Sequence, residues 1–105
     1  MSFKKREDAF ENKYARDEEL RFKVDIRRDK LVGLWAAEML GLSGEDAEAY
    51  AKEVISADFE EPGEDDVVRK IVADFEKNNV DFSEHRLRKK MDELLEVAKQ
   101  QIMTE

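Results

Sequence analysis

Cysteine is absent from the 105 residues, proline occurs once, histidine once and glycine four times. Without a thiol there is no disulfide scaffold, no thiol nucleophile and no thiolate zinc site, a usage compatible with a reducing compartment. One proline and four glycines allow few tight turns, far fewer than a sandwich or barrel needs. No uninterrupted apolar run approaches the ~18 residues that cross a bilayer. The basic start, Met1-Ser2-Phe3-Lys4-Lys5-Arg6, is not followed by an apolar stretch, so it does not read as a secretory signal, and a cytoplasmic location is expected. Positive charge is also in deficit. The net charge of −8 argues against nucleic acid as the main partner, because phosphate repels an acidic surface.

What the chain does have is charge and apolar residues in near-equal measure, 44% and 41%. That balance points to helices. A chain of this length holds one domain with a modest core. Residues 1–30 carry ten Lys/Arg against eight Asp/Glu, a balance of +2, which leaves −10 on the remaining 75 residues. A charge-dense, nearly neutral arm therefore precedes an acidic body.

The arm contains neither Gly nor Pro. Its aromatic residues Phe3, Phe10 and Tyr14 stand at i, i+7 and i+11, one narrow stripe of a helix. So thin a stripe buries too little area to offset the entropy of ordering the segment. Residues 1 to about 18 are expected to fray or be disordered in the free chain and to become helical on docking.

From Leu20 the pattern thickens. Leu20, Val24, Leu31, Leu34, Trp35 and Met39 mark one face, and Phe22, Ile26, Gly33, Ala37 and Leu40 a second, so residues 31–40 are expected to be a buried spine. Gly41 suits the stop. Ser43 restarts the chain as a cap, with Asp46 placed to complete a short capping box. Ala47, Tyr50, Ala51, Val54 and Ile55 then mark an amphipathic helix to about Asp58. Glu61-Pro62-Gly63 is the strongest loop signal. Acids at 64–66 suit the first turn of a helix through Val68, Ile71, Val72 and Phe75, which Asn78-Asn79 ends. Ser83 caps the final helix, with Phe82 and Leu87 placed as a hydrophobic staple. The expected fold is all-α: a four-helix bundle with a long N-terminal helix. Residues 1–19 form a docking segment and 20–105 the bundle domain.

Few constellations carry chemistry. Asp58, Glu60, Glu61, Glu64, Asp65 and Asp66 are hard-cation ligands by type, but the calcium-loop register fails. With Asp58 first, Pro62 falls on position five and Arg69 on twelve, where a bidentate Glu is needed. Capping and solvation are the ordinary use of such acids. His85 has no Ser, Cys or second His to work with. No Gly-rich phosphate loop is present. Arg86, Arg88, Lys89 and Lys90 form a basic cluster suited to a phosphate or an acidic partner, though such runs are more often a solvated face. Trp35 reads as core. No cofactor, metal ligand or nucleophile–base pair is assigned, and an enzyme is not expected. The arm is the remaining candidate, since exposed aromatics on a thin amphipathic helix are a docking element.

The chain resembles a known family at specific blocks. These are Arg6-Glu7-Asp8-Ala9-Phe10-Glu11, Asp17-Glu18-Glu19-Leu20-Arg21-Phe22, Gly33-Leu34-Trp35-Ala36-Ala37-Glu38, and Ala57-Asp58-Phe59-Glu60 with Pro62-Gly63. They are similar to the zeta-type inhibitor subunits of alphaproteobacterial F-type ATP synthases, and the likeness spans essentially the whole chain. Lys4-Lys5 and Tyr14 depart from it: the start is more basic, and Tyr stands where Phe is usual. The resemblance implies a small four-helix protein that binds the catalytic head of the synthase, peripheral to the inner membrane. Its N-terminal segment, about residues 2–19, would enter an interface between the alpha and beta subunits near the gamma stalk and block rotation in the hydrolysis direction. The residues implied to make those contacts are Phe3, Arg6, Glu7, Phe10, Glu11, Tyr14, Asp17 and Glu18. The alternative kept beside it is a small helical module that binds a nucleotide or a metal.

Overall fold

A computed structural model describes residues 3–59 and 63–105. Glu60, Glu61 and Pro62, and with them two of the six acids of the expected acidic loop, lie outside the described residues, as do Met1 and Ser2. Among the described residues the chain is all helical, with five helices: α1 (Phe3–Arg16), α2 (Glu18–Met39), α3 (Gly44–Asp58), α4 (Asp65–Lys77) and α5 (Glu84–Thr104). None of these is long and apolar enough to cross a membrane.

The long first helix expected from the sequence is divided at a single residue. Asp17 takes an extended conformation (φ −105°, ψ 107°), and its carboxylate accepts a hydrogen bond from the Leu20 amide at 3.1 Å. Asp competes for backbone donors better than it propagates a helix, and Glu18 and Glu19 then favour the positive end of α2. The break lies two residues before the expected end of the arm at residue 19.

The other ends follow the sequence signals, with one exception. α2 closes in a Schellman motif around Gly41 (φ +81°): Leu42 donates to Ala37 O at 2.8 Å and Gly41 to Glu38 O at 3.0 Å. α4 closes the same way around Asn79 (φ +58°), with Val80 donating to Phe75 O at 2.8 Å. The Ser83 hydroxyl caps α5 at the Arg86 amide, 3.2 Å. Ser43 stands at the start of α3 but its side chain makes no capping bond, so the expected capping box does not form. Gly44 enters that helix with a left-handed φ of +55°.

The main core joins α2, α3, α4 and α5 through Val32, Ala36, Val54, Ile71, Phe75 and Leu87. Trp35 is half-buried at its edge, its ring 6.0 Å from Phe75 and 5.1 Å from Phe82 in edge-to-face contacts. A smaller cluster, Val24, Ala98 and Ile102, lies between α2 and the end of α5 and is covered by Phe10 and Tyr14 of α1. At the α2–α3 crossing a Cβ on Gly33 would lie 2.6 Å from Ala51 Cα. The obstructing atom is backbone, which cannot rotate aside. Gly33→Ala should therefore destabilise the fold by ~1–3 kcal/mol from overpacking, less the ~1 kcal/mol that Ala gains in helix propensity. Urea unfolding checks the sign, and a stabilised variant would mean the crossing relaxes freely.

Candidate functional site

The sequence-expected site residues all fall on α1 and the turn into α2. Among them Phe3, Arg6, Glu11 and Glu18 are exposed, Glu7 and Asp17 partly so, and Phe10 and Tyr14 are half-buried. Phe10 and Tyr14 are stacked with centroids 6.4 Å apart and rest on the small cluster of α2 and α5. The polar residues of the same side reach α5. Lys99 sits 3.3 Å from Glu11 and 4.4 Å above the centre of the Tyr14 ring, and Gln100 donates to Glu7 at 3.3 Å. Burial, and after it the nearby Asp25 carboxylate, raise the Tyr14 phenol above its ordinary value. The structure thus gathers Glu7, Phe10, Glu11 and Tyr14 on one side of α1 against α5. Phe3 remains apart with 55% of its surface in solvent, Arg6 and Glu18 point outward, and Asp17 serves as the cap. The aromatic stripe is real for Phe10 and Tyr14, and its burial is supplied by a helix some 90 residues away in sequence.

Sequence reasoning missed a second group, the buried charges where α2 meets the end of α3 and the start of α4. Asp29 is only 1% exposed, and Arg28 donates to its Oδ1 from Nε at 3.2 Å and Nη2 at 3.0 Å. Asp58 at the end of α3 and Glu64 before α4 complete the group at 3.7 and 3.8 Å from the guanidinium. Burial is the main force raising the Asp29 carboxyl, and its hydrogen bond to Asp58 adds to it. Arg28 opposes both, but the result is a pKa of about 8. Asp29 therefore keeps its proton near neutral pH, held by burial and by its hydrogen bond to Asp58 against the pull of Arg28. The available signal was Asp29 lying at i−3 and i−4 from buried Val32 and Gly33, a polar residue within an apolar stripe.

This proton makes stability depend on pH. Folded Asp29 holds its proton up to about pH 8, whereas an unfolded Asp releases it near pH ~3.9. Stability should be greatest at the acid end of that window and fall as pH rises through it, by at most ~1.4 kcal/mol per pH unit for one proton. Melting temperatures from pH 4.5 to 8.5 test this. Asp29→Asn should flatten the slope, and an unchanged slope would assign the linkage elsewhere.

The basic cluster of α5 divides between two faces. Arg88 turns to the start of α4, meeting Glu64 at 3.1 Å and Asp65 at 3.0 Å, and pairs with Glu84 one turn earlier. Arg86, Lys89 and Lys90 instead border an open hollow of about 420 Å³ beside Trp35 and Phe82, with His85 at its rim. Arg86 covers the Phe82 ring at 4.4 Å. Among the described residues no group of three His, Cys, Asp or Glu side chains converges on a metal position. The Tyr50 hydroxyl donates to Asp74 at 2.7 Å and Lys70 joins Asp74 to Glu53, which ties α3 to α4 as a structural network.

Comparison with known proteins bears on the whole chain. No curated protein matches it. A solved structure determined in solution by NMR is 48% identical; the match covers 81% of this chain and 96% of that one, with a TM-score of 0.73. The family model described as ATPase inhibitor subunit zeta matches residues 1–101. With a match over nearly every residue, including the arm, the chain belongs to the ATPase inhibitor subunit zeta family.

Proposed function

We propose that the protein is a non-enzymatic inhibitor of ATP hydrolysis by the F-type ATP synthase, acting peripherally to the inner membrane through the catalytic head. Its arm would insert between the alpha and beta subunits near gamma and block rotation in the hydrolysis direction. The observation that carries this is the separate helix α1. It supplies no residue to the buried main core, is jointed to α2 at one residue, and keeps Phe3 in solvent. Such an element can leave the body at the cost of a small cluster and a few polar contacts, among them the Lys99–Glu11 ion pair and the Gln100–Glu7 hydrogen bond, a surface pair of this kind being worth ~0.2–1 kcal/mol. Family membership supports the choice of target.

The test is ATP hydrolysis by the purified catalytic head from the same source. Phe10→Ala with Tyr14→Ala should raise the concentration needed for half-inhibition at least ~10-fold, as expected when two aromatic anchors are lost at ≥1 kcal/mol each. The four-helix body should still melt cooperatively. Unfolding of the whole chain by these substitutions would place both rings in the main core and count against a detachable arm. Inhibition equal to the natural chain would remove them from the contact.

A second reading has one observation in its favour, the basic and aromatic hollow of Trp35, Phe82, Arg86, Lys89 and Lys90. Those side chains suit an anionic ligand with an aromatic ring, such as a nucleotide. Chemical-shift changes confined to these residues on adding ATP would support it, and none at millimolar ligand would remove it.

A further inference from the structure

Two large aromatic residues outside the arm are left in water side by side. Phe22 of α2 is 53% exposed and Phe59, which ends α3, is 59% exposed, with ring centroids 5.7 Å apart. A soluble surface rarely pairs two such rings without use. Both line a surface hollow of about 470 Å³ with Asp25, Arg28, Asp58 and Glu64, and Phe22 also lines a second of about 590 Å³ with Leu20 and Ile102. Phe22 and Ile26 line both, so the hollows join into one furrow across α2, from the α1–α2 joint to the end of α3.

The charge along this furrow is uneven. Lys13, Lys23 and Lys30 border the second hollow, are exposed, and take part in no ion pair among the described residues. Arg27 beside them is engaged by Gln101 and Glu105. Of the acids on this rim, Asp17 is committed to capping α2 and Glu19 is outnumbered. Lys23 feels the Glu105 carboxylate, but none of the three lysines is closed into an ion pair among the described residues, and in a chain where Asp and Glu exceed Lys and Arg by 27 to 19 this local excess of positive charge beside an apolar floor favours a negatively charged partner. The occupant that fits is an amphipathic helix, its apolar side on Phe59, Phe22, Ile26 and Leu20 and its carboxylates toward the lysines. A bilayer fits less well, because the site is a furrow and its far end holds Asp25, Asp58 and Glu64, which anionic headgroups would repel.

We infer that the Phe22–Phe59 furrow is a second docking surface, which receives an acidic amphipathic helix of the same partner that takes the arm. The inference rests on the proposed inhibitor role, and the joint places it. Asp17, the joint itself and the cap of α2, borders the furrow, so the furrow begins where the arm leaves the body and a partner holding the arm lies next to it. Two-point attachment of this kind raises affinity without any new contact by the arm.

The experiment uses the full chain and the catalytic head, with two double variants, Phe22→Ser/Phe59→Ser and Lys23→Glu/Lys30→Glu. Each should melt within a few degrees of the natural chain, because all four side chains are exposed, and each should bind the head at least ~10-fold more weakly. The deficit of the lysine variant should shrink at high salt, and that of the phenylalanine variant should not. If the natural chain binds and both variants bind equally well, the furrow is idle and the inference is overturned, while the arm's role stands. If the natural chain does not bind the head, the inhibitor role itself fails and the inference with it. Sedimentation of the chain alone and flotation with phosphatidylglycerol vesicles separate the other occupants. A dimer lost in the phenylalanine variant, or vesicle binding lost in the lysine variant, would overturn the inference in favour of a second copy or a membrane.

Discussion

A chain that begins at Asp17 should not inhibit ATP hydrolysis at any concentration at which the full chain does, yet it should fold. Cutting there keeps the Asp17 carboxylate on the Leu20 amide, so α2 retains its cap. A cut at Leu20 would lose that bond, worth ~1 kcal/mol, and confuse a functional loss with a structural one. Removing α1 uncovers only the small cluster of Val24, Ala98 and Ile102, and none of the buried main-core residues comes from the removed segment. The expected pair of results is a cooperative melt a few degrees lower and complete loss of inhibition in the hydrolysis assay. Full inhibition by the shortened chain would place the activity in the bundle and end the arm hypothesis.

The second large effect is expected at Arg28→Met. Methionine fills a similar volume but leaves the Asp29 carboxyl, 1% exposed, and its neighbour Asp58 without their counter-charge. Breaking a buried pair in this way costs ~3–5 kcal/mol, a large share of the ~5–15 kcal/mol that holds a domain of this size. At pH 7 the melting temperature should fall by ~10 °C or more. The deficit should be smaller at pH 4.5 than at pH 7, because acid favours the neutral form of a buried carboxyl that has lost its counter-charge. A loss that is the same at both pH values would mean that Arg28 contributes packing alone.

The helix order was legible because each stop had a chemical cause within a few residues. Gly41 and Asn79 accept left-handed φ, and Ser83 offers a capping oxygen. The break at Asp17 was missed although its signals were present: a capping residue, two acids after it, and Leu20 beginning the apolar pattern. In a run where nearly every position is charged, a cap looks like one more solvated acid. Arg28 and Asp29 were overlooked for a different reason, despite the place of Asp29 in the apolar stripe. Adjacent opposite charges read as a surface pair, and only the return of the chain at Asp58 and Glu64 encloses them. The basic cluster of α5 misled through adjacency. Neighbours on a helix point about 100° apart, so Arg88 bonds to α4 while Arg86 and Lys89 border another surface. Spacing puts Phe22 on the second apolar face of the helix, with Gly33 and Ala37, yet 53% of its surface is in solvent while those two are buried. The sequence could place the arm and its aromatic anchors, but not the Lys99 and Gln100 contacts that hold it.

The joint at Asp17 also determines how large the molecule is. Unbroken, residues 3–39 would be one rod ~55 Å long at 1.5 Å per residue. The whole chain now measures 48 Å along its longest axis, with a radius of gyration of 14.7 Å. A single non-helical residue is therefore what keeps the molecule shorter than its own first two helices laid end to end. The joint interrupts little of the backbone ladder, since Asp17 still donates to Lys13 O at 2.9 Å and accepts from Arg21 at 3.0 Å. Straight and bent forms thus differ by about two dihedral angles and a few side-chain contacts, but by several ångströms in greatest dimension, a difference that small-angle scattering resolves.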